Sequence, residues 1–238
     1  MSLTSESGGR AAGRARRPGR PPTIDAAAIG GAVVTVGFRE VTFAAVADRL
    51  GVGQATVYRH AANRDELVRL GLEEAVSGFA WPDLTGRWDS LLRRWAVASW
   101  RAWEKHPGAV FAISRGVIPP SIVGLADRIG GALVERGFIA ADAVLAVDLV
   151  FDLAADNRRG VEALDTATVV RRETAARGGV EHGWRTAPVS PGPEGQHEVR
   201  AEMVRAIRVE PVEWFERKLG VVLAGIAQEL APRQEETP

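Results

Sequence analysis

With 238 residues and 46% hydrophobic side chains, the chain can bury one or two cores, yet no run approaches the ~18 apolar residues of a membrane span. The absence of cysteine excludes disulfides and thiolate chemistry, and the polar, Gly- and Arg-rich start has no signal-peptide core, so a cytoplasmic protein is expected. Formal net charge is zero, but residues 1–70 carry ten arginines against six carboxylates, which leaves the remainder net negative.

Residues 1–22 are poor in apolar side chains and rich in Gly, Arg and Pro, which predicts a flexible basic arm. Arg16, Arg17 and Arg20 in RPGRPP suit a minor groove or phosphates; the alternative is a solvated tail. Thr23 is a candidate cap for a first helix with the stripe Ile29, Ala32, Val33 and Val36, closed by Gly37.

Thr42 caps the next predicted helix, where Phe43, Val46, Ala47 and Leu50 share one face and Gly51 ends it. After a tight turn, residues 54–60 give about two helical turns, too short to be stable alone. Val57 and Ala61 would point inward, leaving Gln54, Ala55, Thr56, Tyr58, Arg59 and His60 outward. Those outward types suit base edges and phosphates, so the pair reads as a helix-turn-helix whose second helix enters a major groove. Asn63 and Glu66 resemble a capping box opening a fourth helix that runs to about Gly78.

Trp81, Pro82 and Gly86 mark a boundary, and a second domain is expected from there. Four of the seven tryptophans lie within residues 88–103, on a helix that ends before Pro107. They form either the wall of an effector pocket or a packed core. A short helix over residues 107–114, a break at IPPSIVG, and a helix over 121–136 follow.

Residues 141–164 predict a long helix, apolar round most of its first half and so expected to be buried nearly all round. Asp148, Asp152 and Asp156 recur every four residues along it, as a lining for a cationic effector, a pairing surface for arginines, or a solvated face. Residues 175–197 predict a loop or partly disordered insert, and 198–207 a short helix. The last helix, 211–230, opens with Pro211 and carries Val212, Phe215, Leu219, Val222, Leu223 and Ile226. Its surplus apolar surface is natural dimer surface.

ADRLGVGQATVYRHAANRDELV resembles the DNA-binding signature of the TetR (tetracycline-repressor-like) family, and the likeness spans about residues 24–75. The resemblance implies an all-α homodimer. Residues 23–80 would form the helix-turn-helix DNA-binding domain, 81–232 a helical bundle for effector binding and dimerisation, and 233–238 a tail. The segments near 141–164 and 211–230 are similar to the dimer-forming helices of the tetracycline-binding branch.

Carried onto this sequence, the motif assigns DNA contact to Thr42, Gln54, Thr56, Tyr58, His60 and Arg64. Arg59 departs from the aromatic common at its position, and Ala55 from Pro or Ser. The magnesium-ligating histidine of the tetracycline-binding members falls at Ala112, which implies no metal and an effector that is not a magnesium chelate. No cofactor is implied.

Trp95, Ser99, Trp103, His106, Phe111 and Asp152 are the candidate contacts to a small, apolar or aromatic effector. The expected function is that of a ligand-released repressor on double-stranded DNA, nucleoid-associated in the cytoplasm; the rival is an effector-independent architectural DNA-binding protein. An enzyme is not expected. The four histidines, His60, His106, His182 and His197, are scattered, and neither a phosphate loop nor a metal spacing occurs.

Overall fold

The computed structural model describes residues 24–171, 176–188 and 191–232, and every regular element among them is helical. Helix α1 spans Ala26–Val36, α2 Phe43–Leu50, α3 Gln54–Tyr58 and α4 Arg64–Ser77. The cap of α1 is Asp25, whose carboxylate accepts the Ala28 N–H at 2.8 Å. Thr23, the cap expected from sequence, lies outside the described residues.

Helix α1 lies along α4 at unusually short range. A Cβ on Gly30 would stand 2.6 Å from the Leu70 carbonyl oxygen, and one on Gly71 would stand 2.3 Å from Val33 Cγ1. Two glycines therefore bring the backbones together, and Ile29, Val33, Leu67 and Val68 close over the contact. The remaining two helices lean on this pair. Thr42 Oγ1 accepts the Ala45 N–H at 3.1 Å to start α2, and Gly51 ends it in the left-handed region at φ 67°. Helix α3 has five residues and no side-chain cap, so it owes its place to fully buried Val57 and to Ala61 just beyond it.

Helices α5 (Trp88–Lys105), α6 (Ala109–Ile113), α7 (Pro120–Val134), α8 (Ala140–Arg171) and α11 (Pro211–Glu229) build the second body. Helix α8 is the hub, packing against α7 and α11 as well as against the tryptophan-rich α5. The tryptophans of α5 are held by their N–H groups as well as their area. Trp95 donates to the Asp83 carbonyl at 3.0 Å, Trp100 to Asn157 Oδ1 at 2.9 Å, and Trp103 to Ser99 Oγ at 3.1 Å. The segment over residues 79–87 is fastened rather than slack: Trp81 stacks on Trp95 with centroids 5.4 Å apart, and Arg136 bonds the Leu84 and Gly86 carbonyls.

Three sequence expectations change. Residues 176–186 are helical (α9, Ala176–Thr186), paired with α10 (Gln196–Arg208), where a loop was expected. Glu181 explains the pairing, since it bonds Arg185 one turn on and Arg208 across on α10. Helix α8 runs to Arg171, beyond the expected end near residue 164. Nor is α8 buried all round: Leu145 and Leu149 are exposed, because a single chain has nothing to lay against that face, and Val144, which lines the cavity described below, is 67% exposed.

The two bodies meet at a buried carboxylate. Glu162 on α8 is 1% exposed, and its Oε2 accepts the Gly108 N–H at 2.7 Å and Arg39 Nη2 at 3.3 Å. Arg158, also buried, approaches Glu162 Oε1 at 3.5 Å and Glu104 at 3.5 Å. Arg39 belongs to the α1–α2 turn. Gly108 can lie under it only without a side chain, since it has φ 95° and its Cβ would fall 2.8 Å from Arg39 Cγ.

Two stability outcomes follow. Gly71→Ala should destabilise by about 1–3 kcal/mol through overpacking, and Val33→Ala in the same chain should recover part of that, a coupling readable by urea unfolding of the four variants of the cycle. Additive losses would mean that the helices do not touch there. Glu162→Gln removes the buried charge that Arg39 and Arg158 share and should cost on the order of 3 kcal/mol in the same experiment.

Candidate nucleic-acid interface and cavity

The helix-turn-helix presents one rigid polar surface. Gln54, Ala55, Tyr58, Arg59 and His60 are exposed and Thr56 is half-buried. Tyr58 stacks flat on Phe43, with centroids 3.9 Å apart and planes within 8°, so its ring is fixed while its hydroxyl end reaches outward. Arg59 Nη2 donates to Thr56 Oγ1 at 3.1 Å, which lays the guanidinium along α3.

Two of the expected contact residues carry structural bonds as well. Thr42 caps α2 through its oxygen, leaving its hydroxyl proton for an outside acceptor. Arg64 donates to the Val41 carbonyl at 3.3 Å and the Phe38 carbonyl at 3.4 Å, tying the start of α4 to the entry of α2. Asn63 Oδ1 accepts the Glu66 N–H at 2.9 Å, but the Glu66 carboxylate turns to Arg69 instead of completing the capping box; that pairing holds its pKa below the usual range. Arg16, Arg17 and Arg20 lie outside the described residues.

A cavity of about 630 Å³ opens between α7, α8, the end of α5 and the segment after α4. Trp81 and Trp103 supply indole surface; α7 contributes Ile122, Leu125 and Asp127; and α8 contributes Val147, Asp148, Phe151 and Asp152. Gly130 and Gly131 form part of its wall, and a Cβ on either would meet no heavy atom within 4 Å.

Of the expected effector contacts, Trp103 and Asp152 line this space. Trp95 is fully buried in the core, and Ser99 serves as acceptor for Trp103. His106 sits edge-on to Phe38 with centroids 6.1 Å apart, at the junction of the two bodies, where burial lowers its pKa and Lys105 adds to the effect. Phe111 packs against the core on α6, beside buried Ala112. Asp127 and Trp81 carried no pocket signal in the sequence, because neither belongs to a pattern that repeats; the Asp148 to Asp156 stripe did. Asp152 has its pKa raised by partial burial first, and then by the charges of Asp148 and Asp156 one turn to either side.

Comparison with known proteins agrees with this architecture. A family model described as bacterial regulatory proteins, tetR family, matches residues 33–70. No curated protein matches the chain in sequence. Among solved structures, the TetR family protein ActR of Streptomyces coelicolor in complex with actinorhodin is 18% identical with a TM-score of 0.69, covering 88% of this chain and 98% of that one. A possible TetR family transcriptional regulator from Streptomyces coelicolor A3(2) is 21% identical, with a TM-score of 0.67 and coverage of 86% and 99%. A single-residue variant of TetR from Acinetobacter baumannii AYE in complex with minocycline is 20% identical, with a TM-score of 0.62 and coverage of 90% and 96%. At these identities the likeness is one of fold, and it extends over nearly the whole of each relative. The chain thus carries, over residues 33–70, a segment that matches the tetR family of bacterial regulatory proteins, set on the fold of these TetR-family structures.

Proposed function

We propose that the protein is a homodimeric transcriptional repressor, released from a palindromic operator by a small molecule bound in the cavity. In this reading residues 23–80 are the DNA-reading unit, preceded by a basic arm in residues 1–22. Residues 81–232 bind the effector and dimerise, and 233–238 are a tail. The observation that carries it is the pairing of a rigid, outward polar helix with an apolar cavity of about 630 Å³ in one chain. An architectural DNA-binding protein has no use for such a space.

Gln54 is suited to adenine, Thr56 to a thymine methyl or a phosphate, and Arg59, His60 and the Tyr58 hydroxyl to the backbone. Leu145 and Leu149 on α8 and Val221 on α11 are exposed on two helices that pack side by side, which supports their use as the dimer face. A dimer built there would set two recognition helices about 34–36 Å apart, one turn of B-DNA.

Coupling follows from α8. Phe151, Asp152 and Ala155 touch the cavity, and Arg158 and Glu162 follow on the same helix, where Glu162 holds Arg39 of the α1–α2 turn. Any ligand that moves α8 therefore pulls on the reading unit through the ion pair of buried Glu162 with Arg39. A preference of about 3 kcal/mol for the released arrangement would weaken operator binding roughly a hundredfold.

Footprinting on the DNA flanking the protein's own gene should reveal a protected palindrome that persists as salt is raised; diffuse, salt-labile protection alone would count against the proposal. On that operator Gln54→Ala should cost about 1–3 kcal/mol while binding to unrelated DNA is nearly unchanged. Equal losses on both DNAs would remove Gln54 from base readout. Leu149→Arg with Val221→Arg should convert a dimer to a folded monomer in sedimentation equilibrium, and a persisting dimer would place the interface elsewhere.

A further inference from the structure

The cavity wall has a one-sided chemistry. Besides its apolar side chains it holds five that bear polar atoms: Trp81, Trp103, Asp127, Asp148 and Asp152. Both indole N–H groups are already used inside the protein, Trp81 on the Val76 carbonyl at 2.9 Å and Trp103 on Ser99 Oγ at 3.1 Å. They offer a ligand only ring surface. What remains is three carboxylates, which accept hydrogen bonds and donate none.

No lysine, arginine, histidine, hydroxyl or amide side chain lines the space, and among the described residues no basic group pairs with Asp127, Asp148 or Asp152. The next carboxylate along the α8 stripe, Asp156, is by contrast paired with Arg159. The lining thus supplies acceptors and negative potential against aromatic walls, with no donor and no countercharge.

We infer that the effector is an organic cation: an aromatic or otherwise apolar body carrying a protonated amine, amidinium or quaternary ammonium. The body fills the apolar space between α7 and α8. The cationic group lies toward Asp148 and Asp152, one helical turn apart on α8, with Asp127 facing from α7. Indole faces at Trp81 and Trp103 favour the same charge through their quadrupoles. A carboxylate or phosphate ligand would meet three like charges and no donor, and a neutral ligand rich in carbonyls would leave its acceptors unbonded.

The inference rests on the reading of the cavity as the effector site, so its test separates the two. Fluorescence titration of the full-length protein at physiological ionic strength uses three probes on one ring: 9-aminoacridine, cationic at neutral pH; acridine, neutral; and acridine-9-carboxylate, anionic. 9-Aminoacridine should bind at least about tenfold tighter than acridine, a difference of ~1.4 kcal/mol, with the carboxylate weakest. Asp148→Asn with Asp152→Asn should bring the cation down to the level of acridine while acridine itself is unaffected.

Gly130→Phe, which fills the wall at a helical glycine and raises helix propensity, should weaken cation and neutral probe together. Equal or tighter binding of the neutral or anionic ring would overturn the cationic assignment while leaving the cavity reading in place. A cation preference that survives the double Asn substitution would overturn it as well. Failure of all three rings to bind, or binding indifferent to Gly130→Phe, would overturn the cavity reading itself.

Discussion

The Glu162 carboxylate is the constraint on which the relation between the two halves depends. It is buried, and burying a charge is tolerated only where partners replace the lost water. Partners among the described residues include Arg158 on its own helix, the Gly108 N–H at the head of α6, and Arg39 from the turn between α1 and α2. If the reading unit shifts on the bundle, that set is broken.

Around that point the halves also share one hydrophobic core, where α4 packs on α6 and α7, and two further polar contacts. Asp65 pairs with Arg115, while Glu73 accepts the Ser121 N–H at 3.0 Å at the start of α7. Exposed ion pairs contribute little to stability. The Glu162 carboxylate differs from the Asp65–Arg115 pair in being buried. Gly30 and Gly71 press α1 closely against α4, and α2 packs on α1 and carries α3.

The cavity and the apolar faces of α8 divide one helix between two tasks. The side of α8 toward α7 presents Val147, Phe151 and the Asp148 and Asp152 carboxylates to the cavity, while Leu145 and Leu149 are exposed to solvent. This explains a sequence that is apolar over most of its circumference yet not buried all round in a single chain. Hydrophobic pattern records that a face is to be covered without recording whether its own chain, a ligand or a second copy covers it.

Local rules in the sequence were sufficient for the helix-turn-helix. Thr42 as cap, Gly51 as stop, Val57 and Ala61 as the inward pair and Asn63 as the next cap all stand where short-range spacing puts them, because caps, positive-φ stops and period-3.6 stripes are decided within one or two turns. The bounds of α5 and α11 were legible for the same reason, whereas the all-helical class was implied by the resemblance of the helix-turn-helix to a known family. Helix α9 was not legible: its Gly-rich sequence has little helix propensity, and its pairing with α10 runs through Glu181 and Arg208, far apart in the chain. Of the aromatic residues on α5, sequence left open whether they would wall a pocket or pack a core. Tertiary structure made Trp95 core and Trp103 cavity wall, joined distant Trp81 and Asp127 to that wall, and brought Arg39 to Glu162, since each depends on how separate helices cross and no local pattern encodes a crossing.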